Sequence, residues 1–185
     1  MTSSLPELQV HNVVATIQIN CEPIDINYLR DILPYTSYDK SKFAAITIRL
    51  SDPVCTCLLF TSGKLVVTGA SSWEEALLTG YCIRDILRES FHGKRFEISS
   101  YTVQNMVAHI KVGRKISLER MAEENNREIT YQKNMFPGLI FRSLDCSVVL
   151  LCFSSGKIVI TGGKSMDHLS QSWKLMWKTV SRYLE

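Results

Sequence analysis

The sequence contains no run of about 18 apolar residues, so it offers no segment of the length that a transmembrane helix needs. Its first residues, MTSSLPELQV, lack the basic and apolar segments of a secretory signal peptide. Both absences predict an intracellular protein. Hydrophobic residues make up 45% and charged residues 21% of the 185 positions, which is typical of a globular chain with one large domain or two small ones.

Metal-site and disulfide patterns are missing as well. The six cysteines include no C-x-x-C pair, and the four histidines are scattered along the chain. Cys55 and Cys57 fall on one face of a predicted strand, a spacing that zinc ribbons do not use. We therefore predict reduced thiols, no metal and no cofactor.

A strong excess of one charge is also absent, since the net charge is only +3. Residues 1–97 carry 9 Lys/Arg against 11 Asp/Glu, a net of −2, whereas residues 98–185 carry 12 against 7, a net of +5. This overall charge does not by itself indicate a nucleic-acid partner, so any such prediction depends on local chemistry.

An internal repeat is the strongest signal in the chain. LLFTSGKLVVTG (58–69) returns 93 positions later as LCFSSGKIVITG (151–162), and VHNVV (10–14) returns as VQNMV (103–107). Without a gap, residues 43–72 and 136–165 share twelve identities in thirty pairs. The pattern predicts a duplicated unit, with one repeat in residues 1–97 and the other in residues 98–185.

Each repeat predicts the same α+β order of a strand, a short helix, three further strands and a long helix. The short turns favour an antiparallel sheet with helices on one side only. In SVVLLCF (147–153) alternate residues are expected to meet the helices, which leaves Val149, Leu151 and Phe153 on the opposite face. A large apolar face without helices indicates a binding surface.

Two phenylalanine pairs mark that face. Hairpins centred near residue 52 and near residues 144–145 are expected to place Phe43 directly opposite Phe60, and Phe136 directly opposite Phe153. A single phenylalanine at such a position is more often a core residue beneath a turn. The duplication of both pairs favours a functional role.

These motifs resemble the conserved core of the TATA-binding proteins. The resemblance covers about residues 8–184 and rests on VxNxV, F(A/P)(A/G)…R and L-x-F-x-SGK-x-V-x-TG, each present twice. It implies a saddle-shaped, ten-stranded antiparallel sheet with helices on the convex face. It also implies that the concave face binds double-stranded, A·T-rich DNA in the minor groove and bends it.

The resemblance assigns four kinds of DNA contact. The intercalating wedges would be Phe43, Phe60, Phe136 and Phe153. The base-edge residues would be Asn12, Asn105, Thr68 and Thr161. The groove floor would be Val14, Val107, Leu58, Leu151, Val66, Val159, Ala44 and Pro137. The phosphate contacts would be Arg49, Arg142, Lys64, Lys157, Lys164, Ser62 and Ser155.

The same resemblance implies a nuclear, general transcription initiation factor that acts as a monomer on DNA and is able to self-associate when free. Its expected partners are factors similar to transcription factors IIA and IIB and polymerase-associated factors. Several positions depart from the family pattern: Ser71 replaces a lysine, Gln132 and Asn134 replace acidic residues, Val54 lacks a usual basic residue, and the first long helix is less basic. These departures bear on the protein partners more than on DNA.

Two other functions remain open at this point. GGKS (162–165) resembles the end of a phosphate-binding loop, but Ile158 stands where that loop needs glycine, and no catalytic set recurs in both repeats. We therefore predict that the chain is not an enzyme. The second alternative is a TATA-binding-protein-related paralogue that acts mainly as a protein-interaction scaffold, with weak or altered DNA preference.

Overall fold

The computed structural model describes residues 5–125 and 127–185, which form two compact units. The first unit is Asn12–Gln104, and the second is Asn105–Glu185 together with the N-terminal residues up to His11. Strands β1 (Gln9–Asn20) and β6 (Glu97–Lys111) contribute residues to both units.

The two units repeat one order of elements. In the first unit, β1 is followed by α1 (Ile26–Ile32), β2 (Thr36–Ser37), β3 (Ala45–Ser51), β4 (Val54–Phe60), β5 (Lys64–Ala70) and α2 (Trp73–Ser90). In the second, β6 is followed by α3 (Leu118–Glu124), β7 (Ile129–Thr130), β8 (Leu139–Arg142), β9 (Val149–Cys152), β10 (Lys157–Gly163) and α4 (Met166–Val180). A 3₁₀ turn (Ser181–Tyr183) follows α4.

The ten strands form one antiparallel sheet in the order β2-β3-β4-β5-β1-β6-β10-β9-β8-β7. The predicted α+β class, with its internal repeat and ten-stranded antiparallel sheet, is confirmed. The two-residue strands β2 and β7 extend the sheet beyond β3 and β8.

Helix α2 covers one face of the sheet in the first unit. Ser72 caps its N-terminus by accepting a hydrogen bond from the Glu75 backbone N–H at 3.0 Å. Gly80 lies in the middle of the helix, where glycine costs up to about 1 kcal/mol relative to alanine. A Cβ on Gly80 would stand 2.3 Å from Cδ1 of Ile17, so glycine lets the helix approach β1 closely.

Helix α4 covers the matching face of the second unit with a different contact. Trp173, 93 positions after Gly80, is fully buried, and its Nε1–H donates to the carbonyl oxygen of Pro6 at 2.9 Å. Its ring lies 5.1 Å from that of Trp177. The two units therefore fill the space between helix and sheet in different ways.

The cysteine side chains occur as free thiols. Cys55, Cys57 and Cys152 are buried, and the other three are half-buried. Burial raises the pKa of Cys57 and of Cys152 to about 12, so both stay protonated at neutral pH. Across residues 5–125 and 127–185, no helix has both the length and the apolar composition that a membrane crossing requires.

Candidate nucleic-acid interface

In the first unit, the sheet face opposite α2 carries a continuous set of apolar and hydroxyl side chains. Residues of β1 alternate between fully buried positions such as Ile17 and half-buried ones such as Val14 and Thr16. The strand register pairs Leu58 with Val66, and Val66 with Thr16. We call this surface the open face of the first unit. It brings together the predicted groove-floor residues Val14, Leu58 and Val66.

The second unit has a corresponding open face opposite α4. Its register pairs Ile140 with Leu151, Leu151 with Val159, and Val159 with His109. Val107 lies two residues before His109 on the same side of β6. The predicted floor residues Val107, Leu151 and Val159 are thus neighbours, and His109 continues their row.

The aromatic pair of the first unit forms, but not by direct opposition. The register pairs Phe60 with Ala45, and Phe43 lies two residues before that position, ahead of β3. The prediction that Phe43 stands directly opposite Phe60 was therefore wrong. The rings still meet diagonally, with centroids 5.8 Å apart and planes at 66°, and Phe43 is 49% exposed.

The second unit repeats this diagonal arrangement. Leu139 pairs with Cys152, so Phe136 does not stand directly opposite Phe153, and that prediction was also wrong. The ring centroids lie 5.9 Å apart at 70°. A Cβ on Gly138 would come within 2.6 Å of the Phe136 ring and 3.0 Å of the Phe153 ring, so the missing side chain makes room for the pair.

Ala44 and Pro137 each follow the first phenylalanine of their pair. Both are exposed and precede β3 and β8, so they lie beside the aromatic pairs and outside the central rows of floor residues.

An asparagine and a threonine meet on the open face of each unit. Asn12 Oδ1 accepts hydrogen bonds from the Gly69 backbone N–H at 2.8 Å and from Thr68 Oγ1 at 3.4 Å. Gly69 has a φ of +96°, and the register between β1 and β5 shifts beside it. The Gly69 N–H can therefore donate to a side chain instead of to a neighbouring strand. The amide oxygen is occupied, which leaves the NH₂ group of Asn12 as the available donor.

The second unit holds its asparagine in the same way. Asn105 Oδ1 accepts from the Gly162 N–H at 2.8 Å, and Asn105 Nδ2 donates to Thr161 Oγ1 at 3.1 Å. Gly162 has a φ of +98°. Each predicted base-edge pair is thus a hydrogen-bonded unit that a backbone amide keeps in one orientation.

The predicted phosphate-contact residues are exposed and lie around the two open faces. The residues are Arg49, Arg142, Lys64, Lys157, Lys164, Ser62 and Ser155. Arg49 donates to Ser37 Oγ at 3.3 Å, and Lys64 Nζ stands 5.9 Å from the centre of the Phe60 ring. Within residues 5–125 and 127–185, none of the five cations makes a salt bridge. Their charge therefore remains available to an anion.

Several residues of these faces were missing from the sequence prediction. His109 and Thr16 occupy matching places in their rows, and alternation from Asn105 and Asn12 would have found both. The roles of the Gly69 and Gly162 amides needed coordinates, because no sequence pattern shows where a side-chain oxygen finds its donor.

Comparison with known proteins agrees with this duplicated arrangement. The family model described as "Transcription factor TFIID (or TATA-binding protein, TBP)" matches the chain twice, over residues 7–90 and 100–183. The chain belongs to the TATA-binding protein family. This family consists of transcription factors and not of enzymes, which agrees with the prediction.

Individual family members cover almost the whole chain. The TATA-box-binding protein of Emericella nidulans is 33% identical over 97% of this chain, which spans 65% of that relative's length. The TATA-box-binding protein-like 1 of Entamoeba histolytica is 32% identical over 97% of this chain and 82% of its own length. The solved structure of Methanococcus jannaschii TBP has a TM-score of 0.83 at 34% identity, and the match covers 96% of this chain and 99% of that one.

The surroundings of Ser71 differ from those of the matching position in the second unit. Glu75 accepts hydrogen bonds from both the hydroxyl and the backbone N–H of Ser71. These two bonds hold the pKa of Glu75 below its ordinary value, and the bond from the hydroxyl has the larger effect. The first unit thus has a carboxylate beside the place where Lys164 stands in the second.

The turn before Phe136 is exposed. Gln132 and Asn134 are exposed, and the Gln132 carbonyl oxygen accepts from the backbone N–H groups of Met135 and Phe136. Met135 is 83% exposed. This turn therefore presents two uncharged polar side chains and a thioether, together with Lys133, whose ammonium group pairs with Glu119 at 3.0 Å.

Proposed function

We propose that this protein binds the minor groove of TATA-like promoter DNA, kinks it with its phenylalanine pairs and nucleates assembly of a transcription pre-initiation complex. One observation carries the proposal: a diagonal phenylalanine pair and an oriented Asn–Thr pair recur on the open face of each unit. Each unit supplies one set of contacts for half of the site.

The side chains of the open faces suit an A·T-rich minor groove. Such a groove presents only acceptors, adenine N3 and thymine O2, whereas G·C adds the donor amine of guanine. The NH₂ groups of Asn12 and Asn105 supply matching donors. The Thr161 hydroxyl, which accepts from Asn105, can also donate, and the Thr68 hydroxyl can do so once it turns away from Asn12. The aliphatic side chains of the rows offer no acceptor to a guanine amine, which disfavours G·C pairs.

The phenylalanine pairs suit the kinking step. Phe43 and Phe136 are partly exposed, and each rests edge-to-face on a partner ring. The partners are Phe60, the last residue of β4, and Phe153, which directly follows β9. Unstacking a base step costs about a few kcal/mol in minor-groove-binding proteins, TATA-binding proteins among them, and additional contact with the bent DNA offsets the cost. Flexible TA steps lower the cost and so add sequence preference.

The unpaired cations suit the DNA backbone. Arg49, Lys64, Arg142, Lys157 and Lys164 carry charges that no salt bridge neutralises among the described residues. Phosphate contacts release counterions, so we expect the affinity for DNA to fall as the salt concentration rises. Ser62 and Ser155 would add hydroxyl contacts.

We also propose that the protein acts in the nucleus and binds other transcription factors there. We place the boundary between the repeats at residues 97/98 and expect partners similar to transcription factors IIA and IIB and polymerase-associated factors. The uncharged Gln132 and Asn134 favour a rebuilt contact with the IIB-like factor. Family membership and the exposed position of both side chains support this part of the proposal.

Energy transfer between fluorophores at the two ends of a short duplex tests the central claim. Binding to a TATA duplex should shorten the end-to-end distance, and a G·C-rich duplex of equal length should bind more weakly and bend less. Equal affinity for both duplexes, with no bending of either, would refute the proposal.

The scaffold alternative has one observation in its favour. Helix α2 exposes Trp73, Leu78 and Tyr81 on its outer surface, where a protein partner could bind. In the same experiment this alternative predicts weak binding with little difference between the duplexes. Removal of one wedge would then leave the affinity for DNA unchanged.

A further inference from the structure

His109 is the one imidazole in the row of open-face residues that includes Val159 and Leu151. In β6, Met106 and Ala108 are buried beneath the helix, whereas His109 lies on the other side of the strand and pairs with Val159. Thr16 holds the matching place in the first unit, where it pairs with Val66. At this place in the row, the two halves of the proposed DNA site therefore differ by a titratable side chain.

The surroundings of His109 determine which of its ring nitrogens carries a hydrogen when the ring is neutral. Nε2 lies 2.9 Å from Gln9 Oε1, which is an amide oxygen and only accepts, so Nε2 carries a hydrogen. The His11 ring on β1 meets the His109 ring edge-on, with centroids 5.9 Å apart at 74°. Among the described residues, Nδ1 of His109 makes no hydrogen bond. Nδ1 is also the nitrogen that changes from acceptor to donor when the ring is protonated.

The charged groups around this ring are all basic or titratable to a cation. His11 faces it from β1, Lys157 lies on β10, and Lys111 lies on β6 itself. No carboxylate lines the shallow depression that these described residues share. DNA phosphates brought close to this ring would favour a positive charge on it.

The two protonation states of Nδ1 match different base pairs. The neutral ring offers an acceptor, which can receive a hydrogen bond from the guanine amine in the minor groove. The protonated ring offers a donor, which suits adenine N3 and thymine O2 but opposes the guanine amine. A cationic side chain is also favoured by the strong negative potential of a narrow A·T minor groove.

We propose that His109 is a base-reading residue that makes the preference of the second unit for A·T over G·C depend on pH. The inference rests on the proposed function, because it requires the open face to lie in the minor groove. DNA-linked protonation would strengthen A·T binding as the pH falls. Thr16 has no charge to gain, so the half of the site bound by the first unit should not change in this way.

A base-substitution scan tests the inference. Single A·T pairs of a TATA duplex are replaced in turn by G·C or by inosine·C, which lacks the minor-groove amine, and affinities are measured by fluorescence anisotropy. Measurements near pH 6 and near pH 8 lie on either side of the ordinary imidazole pKa of about 6.5. At one position, wild-type protein should penalise G·C about fivefold more at the lower pH, and inosine·C should show no such change.

Variants identify the residue responsible. His109→Thr copies the first unit, and His109→Gln is a second uncharged variant in case the first lowers stability; both should make the G·C penalty independent of pH. His11→Gln should retain the wild-type pH dependence. The inference is overturned if both His109 variants keep that dependence, if His11→Gln removes it, or if inosine·C behaves like G·C. Equal affinity for TATA and G·C-rich duplexes at both pH values would instead refute the proposed function.

Discussion

The side-chain oxygen of Asn105 accepts a hydrogen bond from the backbone N–H of Gly162 at 2.8 Å. This contact removes the usual ambiguity of an amide side chain, because one end is committed to the protein. The NH₂ end is thereby assigned to Thr161 and to any acceptor that approaches the open face. The Asn12–Gly69 contact, also 2.8 Å, does the same in the first unit.

Asn105→Asp should weaken binding to the TATA duplex about tenfold or more, since a good base contact is worth about 1–3 kcal/mol. An aspartate can still accept from the Gly162 N–H, but it offers no donor and directs a negative charge at base acceptors. Anisotropy titration measures the loss. Asn27→Asp makes the same charge change on an exposed part of α1 and should leave the affinity nearly unchanged. Equal losses in both variants would mean that the effect is only one of net charge.

Phe60→Ala and Phe153→Ala should reduce DNA bending while leaving a cooperatively folded protein. Both rings are half-buried on the open faces, so their removal takes away a wedge and not a core residue. Energy transfer reports bending, and thermal unfolding reports the fold. Phe141→Ala is the matched core control, since Phe141 is 1% exposed and its loss should cost about 3–5 kcal/mol. If Phe153→Ala unfolds as readily as Phe141→Ala, the ring is a core residue and the wedge role fails.

Ser71→Lys and Lys164→Ser should have opposite effects on salt dependence. The two positions match across the repeat, and each phosphate contact adds about 0.9 to the slope of log K against log salt. The first variant should make the slope steeper by about that amount and the second should make it shallower. Lys178→Ser, on the exposed side of α4, is the control and should leave the slope unchanged. An unchanged slope in Lys164→Ser would remove this lysine from the phosphate contacts.

Gly80→Val should lower the free energy of unfolding by about 1–3 kcal/mol through overpacking. The new side chain would collide with Ile17, whose Cδ1 stands 2.3 Å from the position of a Cβ. Chemical denaturation measures the loss. Adding Ile17→Ala should recover part of it, so the double variant should be more stable than the sum of the two single effects predicts. Strict additivity would show that the two sites do not meet.

Glu75→Gln should make the protein less sensitive to acid. The pKa of Glu75 is lowered in the folded protein, so the unfolded chain takes up this proton first as the pH falls. Its stabilising contribution is present above the unfolded-state pKa and is lost as the pH falls through the folded-state value. Melting temperatures between about pH 6 and about pH 3 should therefore fall less in the variant than in wild type. Glu74→Gln, one residue away, should follow the wild-type curve.

The alternating pattern was sufficient to predict most of the open faces. Val14, Leu58 and Val66 lie together because alternate residues of neighbouring strands share a side, and this rule needs no coordinates. The same rule applied from Asn105 would have found His109. The strands β2 and β7 have two residues each, which is too short for alternation to show.

The exact pairing of the phenylalanines could not be predicted from the alternating pattern. The centre of a hairpin can be estimated from sequence only to within about one residue. An error of one residue in the centre changes the residue opposite Phe60 by two positions, from Phe43 to Ala45. The rings still meet because large side chains reach diagonal neighbours across strands. Gly138 could be read as a turn residue in the sequence, but only the coordinates show that it leaves space for two rings.

Because Gly80 and Trp173 occupy matching positions, core residues cannot be transferred freely from one copy of the repeat to the other. A tryptophan at position 80 would collide with Ile17, and a glycine at position 173 would leave a void and remove the donor to Pro6. Each copy therefore has its own internal fit, although most of the site residues on its surface match, with Thr16 against His109 and Ser71 against Lys164 as exceptions. A stabilising core substitution found in one copy cannot be transferred to the other by adding 93 to its number.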